Sequence, residues 1–226
     1  MNVNKELAKK AKTHTVYTLA DGTRVPGVTT VLAEIAKPAL IAWANKLGLQ
    51  GIEVGKYTDA AANVGTACHA MIEAYLKGEE FDGSDFDKIT LDLAENGFLK
   101  FLDWANQHTI DDIHAEMPLV SENYKYGGTI DLYCILDGIP TLVDFKTSAS
   151  GIYDEMEWQV AGGYRHLLVE NKYPVEQVII IRVGKSDQPD LETKIIGNWN
   201  EAWNVFLSAL DIYYAKKAYE KAKGRK

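Results

Sequence analysis

Asp131, Asp144 and Lys146 lie within Gly127 to Ser148, GGTIDLYCILDGIPTLVDFKTS, at a spacing that lets three ionisable groups converge. Two runs rich in β-branched and aromatic residues flank Asp137-Gly138, a dipeptide that tolerates positive φ and signals a two-residue type I′ hairpin. With Leu136 and Ile139 closing that turn, Asp131 falls directly across from Asp144 and on the same face. Side-chain direction repeats every second residue in a strand, so Lys146 shares the face of Asp144. Directly opposed carboxylates, with Cβ atoms ~4.5–5.5 Å apart, destabilise a sheet unless something offsets their repulsion. A divalent cation is the simplest offset: carboxylate oxygens are the ligands that Mg²⁺ and Mn²⁺ prefer, and a bound ion can hold a phosphate and acidify a water. A lysine beside it can position that water or stabilise developing charge. An Asp-x-Lys tripeptide alone would suit a solvated antiparallel pair bridged by the lysine. Here register, facing and the neighbouring pieces agree.

The surrounding pattern supplies elements to hold these groups. His14 to Leu19 alternates like a strand and turns at Asp21-Gly22. Arg24 to Thr30 leads into a short helix with Thr29 as N-cap, and Lys37-Pro38 separates it from a second helix through Leu47. These two helices read as a lid or arch, packed down by Trp43, Leu40 and Leu47. From Ala60 to Lys77 an apolar stripe marks a helix ended by Gly78, with His69 and Glu73 one turn apart at its flank and able to reach one point beside the sheet. For the helix viewed alone, a partly buried histidine bonded to Glu73 is the better reading of His69. Ser84 to Gln107 reads as an amphipathic helix capped by Ser84 or Asp85. Ile113 to Val120 reads as a strand that makes a meander with the hairpin and carries Glu116, a third acid near the site. Beyond the hairpin follow a helix over Tyr153 to Asn171 with Gln159 and Tyr164 toward the hairpin, strands over Val175 to Val183 and Asp190 to Ile196, and a terminal helix over Asn200 to Ala222. Strands, a helix and further strands predict an α/β or α+β fold, a central mixed sheet flanked by helices.

The 226 residues suit one domain, 1–226, comprising a strand and helical lid (1–60), a catalytic core (61–200) and a C-terminal helix with a basic tail (201–226). With 46% hydrophobic residues and a net charge of −8 the chain is not of disordered composition. It shows no apolar run of transmembrane length and no signal peptide, which predicts no membrane association and a cytoplasmic location. Cys68 and Cys134 are too far apart in sequence for a C-x-x-C pair, which excludes a zinc or iron–sulfur centre built from cysteines alone; Cys134 falls on the hairpin face opposite the carboxylates. Charge is uneven: residues 79–122 hold twelve Asp or Glu against Lys88 and Lys100, whereas Tyr214 to Lys226 holds six Lys or Arg against Glu220. Lys5, Lys9, Lys10 and Lys12 make the other end basic. Either end suits contact with a phosphate backbone, and each equally suits a solvated tail.

Taken in order, VPGVTTVL, GTACHAMIE, EMPLV, GGTIDLY, VDFKTS and EWQVAGGY resemble the PD-(D/E)XK nuclease superfamily, and within it the RecB-like exonuclease branch that includes phage exonucleases and the mitochondrial genome maintenance exonuclease. The resemblance covers about residues 25–165. It implies a restriction-endonuclease-like sheet in which His69, Asp131, Asp144 and the Val143 carbonyl ligate Mg²⁺ or Mn²⁺. Lys146 would activate the attacking water, Gln159 would support Lys146 or contact DNA, and Glu116 sits where relatives carry an acid; Tyr164, Thr147 and Ser148 are implied DNA contacts. Two departures stand out. Gly163 occupies the position four residues after the glutamine where relatives carry tyrosine, with Tyr164 one later, and the cysteines that hold an iron–sulfur cluster in several relatives are missing.

The expectation is therefore a divalent-metal-dependent DNA exonuclease acting on single strands or duplex ends. The resemblance further implies a phage or prophage role in recombination, replication or repair within the bacterial host cytoplasm, beside a phage single-strand annealing or binding protein. The rivals are a non-catalytic nucleic-acid-binding or assembly protein that keeps the fold, and a structure-specific endonuclease of the same superfamily.

Overall fold

Asp137 and Gly138 both take positive φ, 51° and 85°, as a type I′ turn requires, and Leu136 pairs with Ile139 across them. The computed structural model describes residues 15–148, 151–184, 186 and 190–224. The N-terminal lysines from Lys5 to Lys12, His14, and the last basic residues, Arg225 and Lys226, lie outside the described residues.

The hairpin strands are β4 (Tyr126–Leu136) and β5 (Ile139–Thr147), and β3 (Ile110–Ser121) completes the antiparallel meander. On the other side of β5, β6 (Gln177–Val183) runs parallel to it and β7 (Leu191–Ile195) antiparallel to β6, so the five-stranded mixed sheet has the order β3-β4-β5-β6-β7. A small ribbon of β1 (Tyr17–Thr18) and β2 (Arg24–Val25) forms a separate sheet that packs on β4, with the Tyr17 hydroxyl 3.0 Å from Thr129 Oγ1. Helices cover both faces. On one lie α3 (Val54–Lys77) and α4 (Lys88–Ala105), burying Cys68, Ile72, Phe101 and Trp104 against Leu132, Val143, Phe145 and Ile181. On the other lie α1 (Val28–Leu32), the helical run α5 (Asp154–Glu157), a π-helical segment (Trp158–Tyr164) and α6 (Arg165–Glu170), and the long α7 (Trp199–Ala222). There Val160, Leu167 and Phe206 pack on Tyr126, Leu142 and Ile180. Burial on both faces explains why β6 reads as a continuous apolar run and not as an alternation. No described helix is long and apolar enough to cross a membrane.

Several sequence expectations shift. The short helix α1 starts from Gly27 with no side-chain cap, so Thr29 lies inside it. Val28 and Val31 are fully buried, which makes α1 part of the core and not of a lid. The second helix, α2 (Pro38–Leu49), buries none of its residues fully: Trp43 and Leu47 are half-buried, with Trp43 edge-on to Tyr57 of α3, whereas Leu40 is exposed and does not pack it down. The histidine helix begins at Val54, across the expected lid boundary at residue 60. Asp87, not Ser84 or Asp85, caps α4 by accepting the Thr90 N–H at 2.8 Å.

Candidate active site

Strict alternation fails at the residues that matter most. Ile130 and Leu132, two apart on β4, fall into opposite cores, and so do Ala115 and Met117 on β3. The switch occurs at Asp131 and at Glu116, which the pairs Ala115↔Leu132 and Met117↔Ile130 bracket on the two strands. Glu116 has φ 51°, a left-handed conformation that costs a side-chain-bearing residue ~1–2 kcal/mol and rotates the strand. Pairing between β4 and β5 ends at Leu132↔Val143, and beyond it Asp131 Oδ2 accepts the Phe145 N–H at 3.0 Å. The carboxylate thus takes a backbone donor where the two strands part. Asp131 and Asp144 do not form the flat cross-strand pair expected from alternation: one sits at the fork, the other within β5 on the face of Leu142.

His69 reaches the fork from α3. Its ring stands edge-on to Phe145, with centroids 6.2 Å apart, and its Nδ1 lies 3.7 Å from Asp131 Oδ2. A Cβ at Gly65, one turn earlier on α3, would lie 2.6 Å from Thr147 Oγ1, so glycine there sets how closely this helix approaches the strand that carries Lys146. One ligand atom from each of His69, Glu116 and Asp131 falls within 4.8 Å of the others, around a cavity of ≈ 10 Å³, room for about one water- or ion-sized guest. Glu73 also borders this cavity, with its Oε1 held by Lys77 Nζ at 2.6 Å.

Asp144 is 1% exposed. Its Oδ2 is ion-paired with Lys146, and apart from that pair neither carboxylate oxygen has a hydrogen-bond partner among the described residues. Burial pushes the Asp144 carboxyl up to about 6; Lys146 draws it down, Asp131 raises it further, and His69 lowers it. A buried carboxylate this poorly satisfied beside an imidazole and two more carboxylates is compatible with a divalent cation. Val143 stands in ladders with Leu132 and Ile179, its side chain in the α3-side core.

Opposite the cluster, Gln159 Nε2 donates to the Tyr164 hydroxyl at 2.7 Å. The five-residue separation that departs from the expected four is one π turn, and the segment from Trp158 to Tyr164 is π-helical. The extra residue is absorbed by widening the helix, which returns Tyr164 to the side of Gln159. Tyr164 is buried against Gly128, where a Cβ would meet its Cε1 at 2.8 Å. Burial, with Asp144 and Asp131 nearby, holds its phenol well above the ordinary value, so it stays protonated.

No family model matches the chain. No curated protein sequence matches it either. Among solved structures, the chain is similar to a candidate exonuclease from Eubacterium rectale, at 14% identity and a TM-score of 0.48, over 70% of this chain and 65% of that one. The chain thus spans less than two thirds of that protein.

Arg182 is a contributor that sequence reading missed. It is 3% exposed, lies beside Lys146 in the parallel register, and donates from Nε to Glu192 at 3.1 Å and from Nη1 to the Ser148 carbonyl at 3.2 Å. Asp190 completes the pairing of its guanidinium. The end of the Lys146 strand is tied down in this way. The available signal was one arginine inside the otherwise apolar run VIIIRV. Ser148 also donates from Oγ to the Gly151 carbonyl at 3.0 Å, and Thr147 and Ser148 line a large cleft together with Lys146 and Gln159.

Proposed function

We propose that this chain is a divalent-metal-dependent DNA exonuclease of the PD-(D/E)XK type, with residues 1–226 acting as one nuclease domain and hydrolysing phosphodiesters of linear DNA. The observation that carries the reading is the meeting of Asp131, His69 and Glu116 at the strand fork with the buried Asp144–Lys146 pair beside them. A cluster of acids is a poor place for a polyanionic substrate unless a cation sits between them. His69, Glu116, Asp131 and Asp144, with the Val143 carbonyl, would hold Mg²⁺ or Mn²⁺, which supplies Lewis-acid charge at the phosphate and a more acidic water when bound.

The chain's own groups do the rest. Asp144 keeps the Lys146 ammonium beside the cluster, where it orients the attacking water and stabilises charge developing on the phosphate. Gln159, braced by Tyr164, faces the cleft that Lys146 also lines and positions the strand to be cut. A role beside a phage annealing or single-strand-binding protein belongs to the same reading.

The test incubates wild type and Asp144→Ala with end-labelled linear single- and double-stranded DNA and with a closed circle, in Mg²⁺, Mn²⁺ and EDTA. Metal-dependent loss of linear DNA by wild type alone is expected. Equal cleavage by Asp144→Ala would refute the assignment of the site, efficient cutting of the circle would favour an endonuclease, and binding without any cleavage would favour an assembly protein.

A further inference from the structure

The helix α7 runs past the body it packs on. Its last buried residue is Leu210, yet it continues for twelve more, through Ala222, and none of those is buried. At ~1.5 Å per residue they form an arm about 18 Å long. Two contacts fix its root: the Tyr214 hydroxyl donates to the Lys125 carbonyl, and Lys216 pairs with Glu34. Glu34 lies just before Ala36 and Lys37, which line the cleft that Lys146 and Gln159 also line. The arm therefore springs from beside the wall of that cleft.

Its charge is opposite to that of the chain. Beyond Asp211, Lys216, Lys217, Lys221 and Lys223 stand against Glu220, and Arg225 and Lys226 follow in the sequence, whereas the whole chain carries −8. With 3.6 residues per turn, the four lysines fall within about 160° of the helix circumference, and Ala215, Ala218 and Ala222 occupy the other side.

A helix that covers no core ordinarily holds itself straight with carboxylate–lysine pairs three or four residues apart, which cancel charge as they form. Here tyrosines take that place. Lys217 lies over the Tyr213 ring, 5.7 Å from its centroid, and Lys223 lies over the Tyr219 ring at 4.5 Å, each lysine four residues after its tyrosine. A ring attracts an ammonium through its quadrupole and leaves the positive charge whole. Glu220 approaches Lys217 at 3.9 Å, the outer limit of an ion pair. The arm thus keeps its lysines ordered, exposed and charged.

That combination suits a polyanion, and geometry selects which. Duplex DNA carries one charge per ~1.7 Å of axis, and as a stiff rod it meets a straight arm with little to order on either side. The arm is as long as about five base pairs. An anionic membrane would need large apolar residues opposite the lysines, and alanines bury little there. The acidic body repels DNA, so contact begins where charge is positive.

We infer that the C-terminal arm of α7 is a docking site for the phosphate backbone of duplex DNA, holding the duplex beside the cleft that Lys146 lines. The inference rests on the nuclease reading for its choice of DNA and goes beyond it by naming a surface, outside the proposed active site, that retains the duplex.

The test follows fluorescence anisotropy of a labelled blunt duplex in Ca²⁺ across a range of KCl, for wild type and for Lys217→Gln/Lys221→Gln/Lys223→Gln. The slope of log affinity against log salt should fall by about 2–3 in the variant, and affinity at low salt by on the order of tenfold, as phosphate contacts are lost. The matching triple arginine variant keeps the charge and should keep both. Single glutamine substitutions, each expected to lower the slope by about 1, serve should circular dichroism show that the triple variant loses helix. An unchanged slope, an equal loss in the arginine variant, a larger loss for a single strand of the same length, or a loss confined to phosphatidylserine vesicles would overturn the docking arm. An unchanged slope with intact metal-dependent cleavage removes this inference alone, whereas a lowered slope without cleavage by wild type removes the nuclease reading and leaves the arm standing.

Discussion

Asp144 shows at the residue scale how a functional group costs the fold stability. Its ordinary carboxyl value is 3.8, and burial moves it to about 6. Between those values the folded chain holds a proton that the unfolded chain has released. The sign follows from linkage: for a carboxyl raised in the folded state, the stabilisation is complete at low pH and is lost as pH rises through the folded value. We expect urea-unfolding stability of wild type in EDTA to fall by on the order of 2–3 kcal/mol between about pH 4 and pH 7. Asp144→Asn, which carries no titrating charge there, should lack that fall, and saturating Mg²⁺ should restore wild-type stability at pH 7 by favouring the carboxylate. Identical slopes for the two proteins would place the titration elsewhere. Cys134, by contrast, is a plain core residue: burial pushes its thiol up to about 12, which leaves it unreactive at neutral pH.

At the scale of elements, the site depends on two departures from regular geometry. The left-handed Glu116 turns β3 so that its carboxylate meets Asp131 and His69, and the π turn from Trp158 to Tyr164 brings the tyrosine back under Gln159. Both belong to the kind of local irregularity that packing must over-determine if it is to persist. For the π turn that packing is visible, because Tyr164 lies where a side chain on Gly128 would be. Gly128→Ala should therefore destabilise the chain by ~1–3 kcal/mol in urea unfolding. Tyr164→Phe, which removes only the hydroxyl that receives the Gln159 hydrogen bond, should cost ~0.5–1.5 kcal/mol and lower the cleavage rate more than the substrate affinity. A Phe variant with unchanged rate would show that Gln159 needs no brace.

For the whole molecule, the three-layer body and the overhanging α2 are energetically separable. Since α2 buries none of its residues fully, replacing 38–49 with a Gly/Ser linker of equal length should change urea-unfolding stability by no more than ~1 kcal/mol. A large loss of stability would mean that the arch belongs to the core after all. The hairpin, its register from Leu136↔Ile139 to Leu132↔Val143 and the order of helices were legible in the sequence, because Asp137-Gly138 fixes the turn, whereas the faces on either side of Asp131 were not. Local spacing also sufficed to single out Asp131, Asp144 and Lys146 as groups to bring together, whereas His69 entered through the family resemblance. Tertiary structure alone decided how they meet. Whether a strand keeps its period of two depends on the φ of one glutamate, and whether α1 is lid or core depends on what α7 and the π segment present to it. That Arg182 ties the end of the Lys146 strand depends on partners eight and ten residues on and thirty-four residues back. Periodicity reports which way a side chain leaves its own element; only the packed chain determines what it finds there.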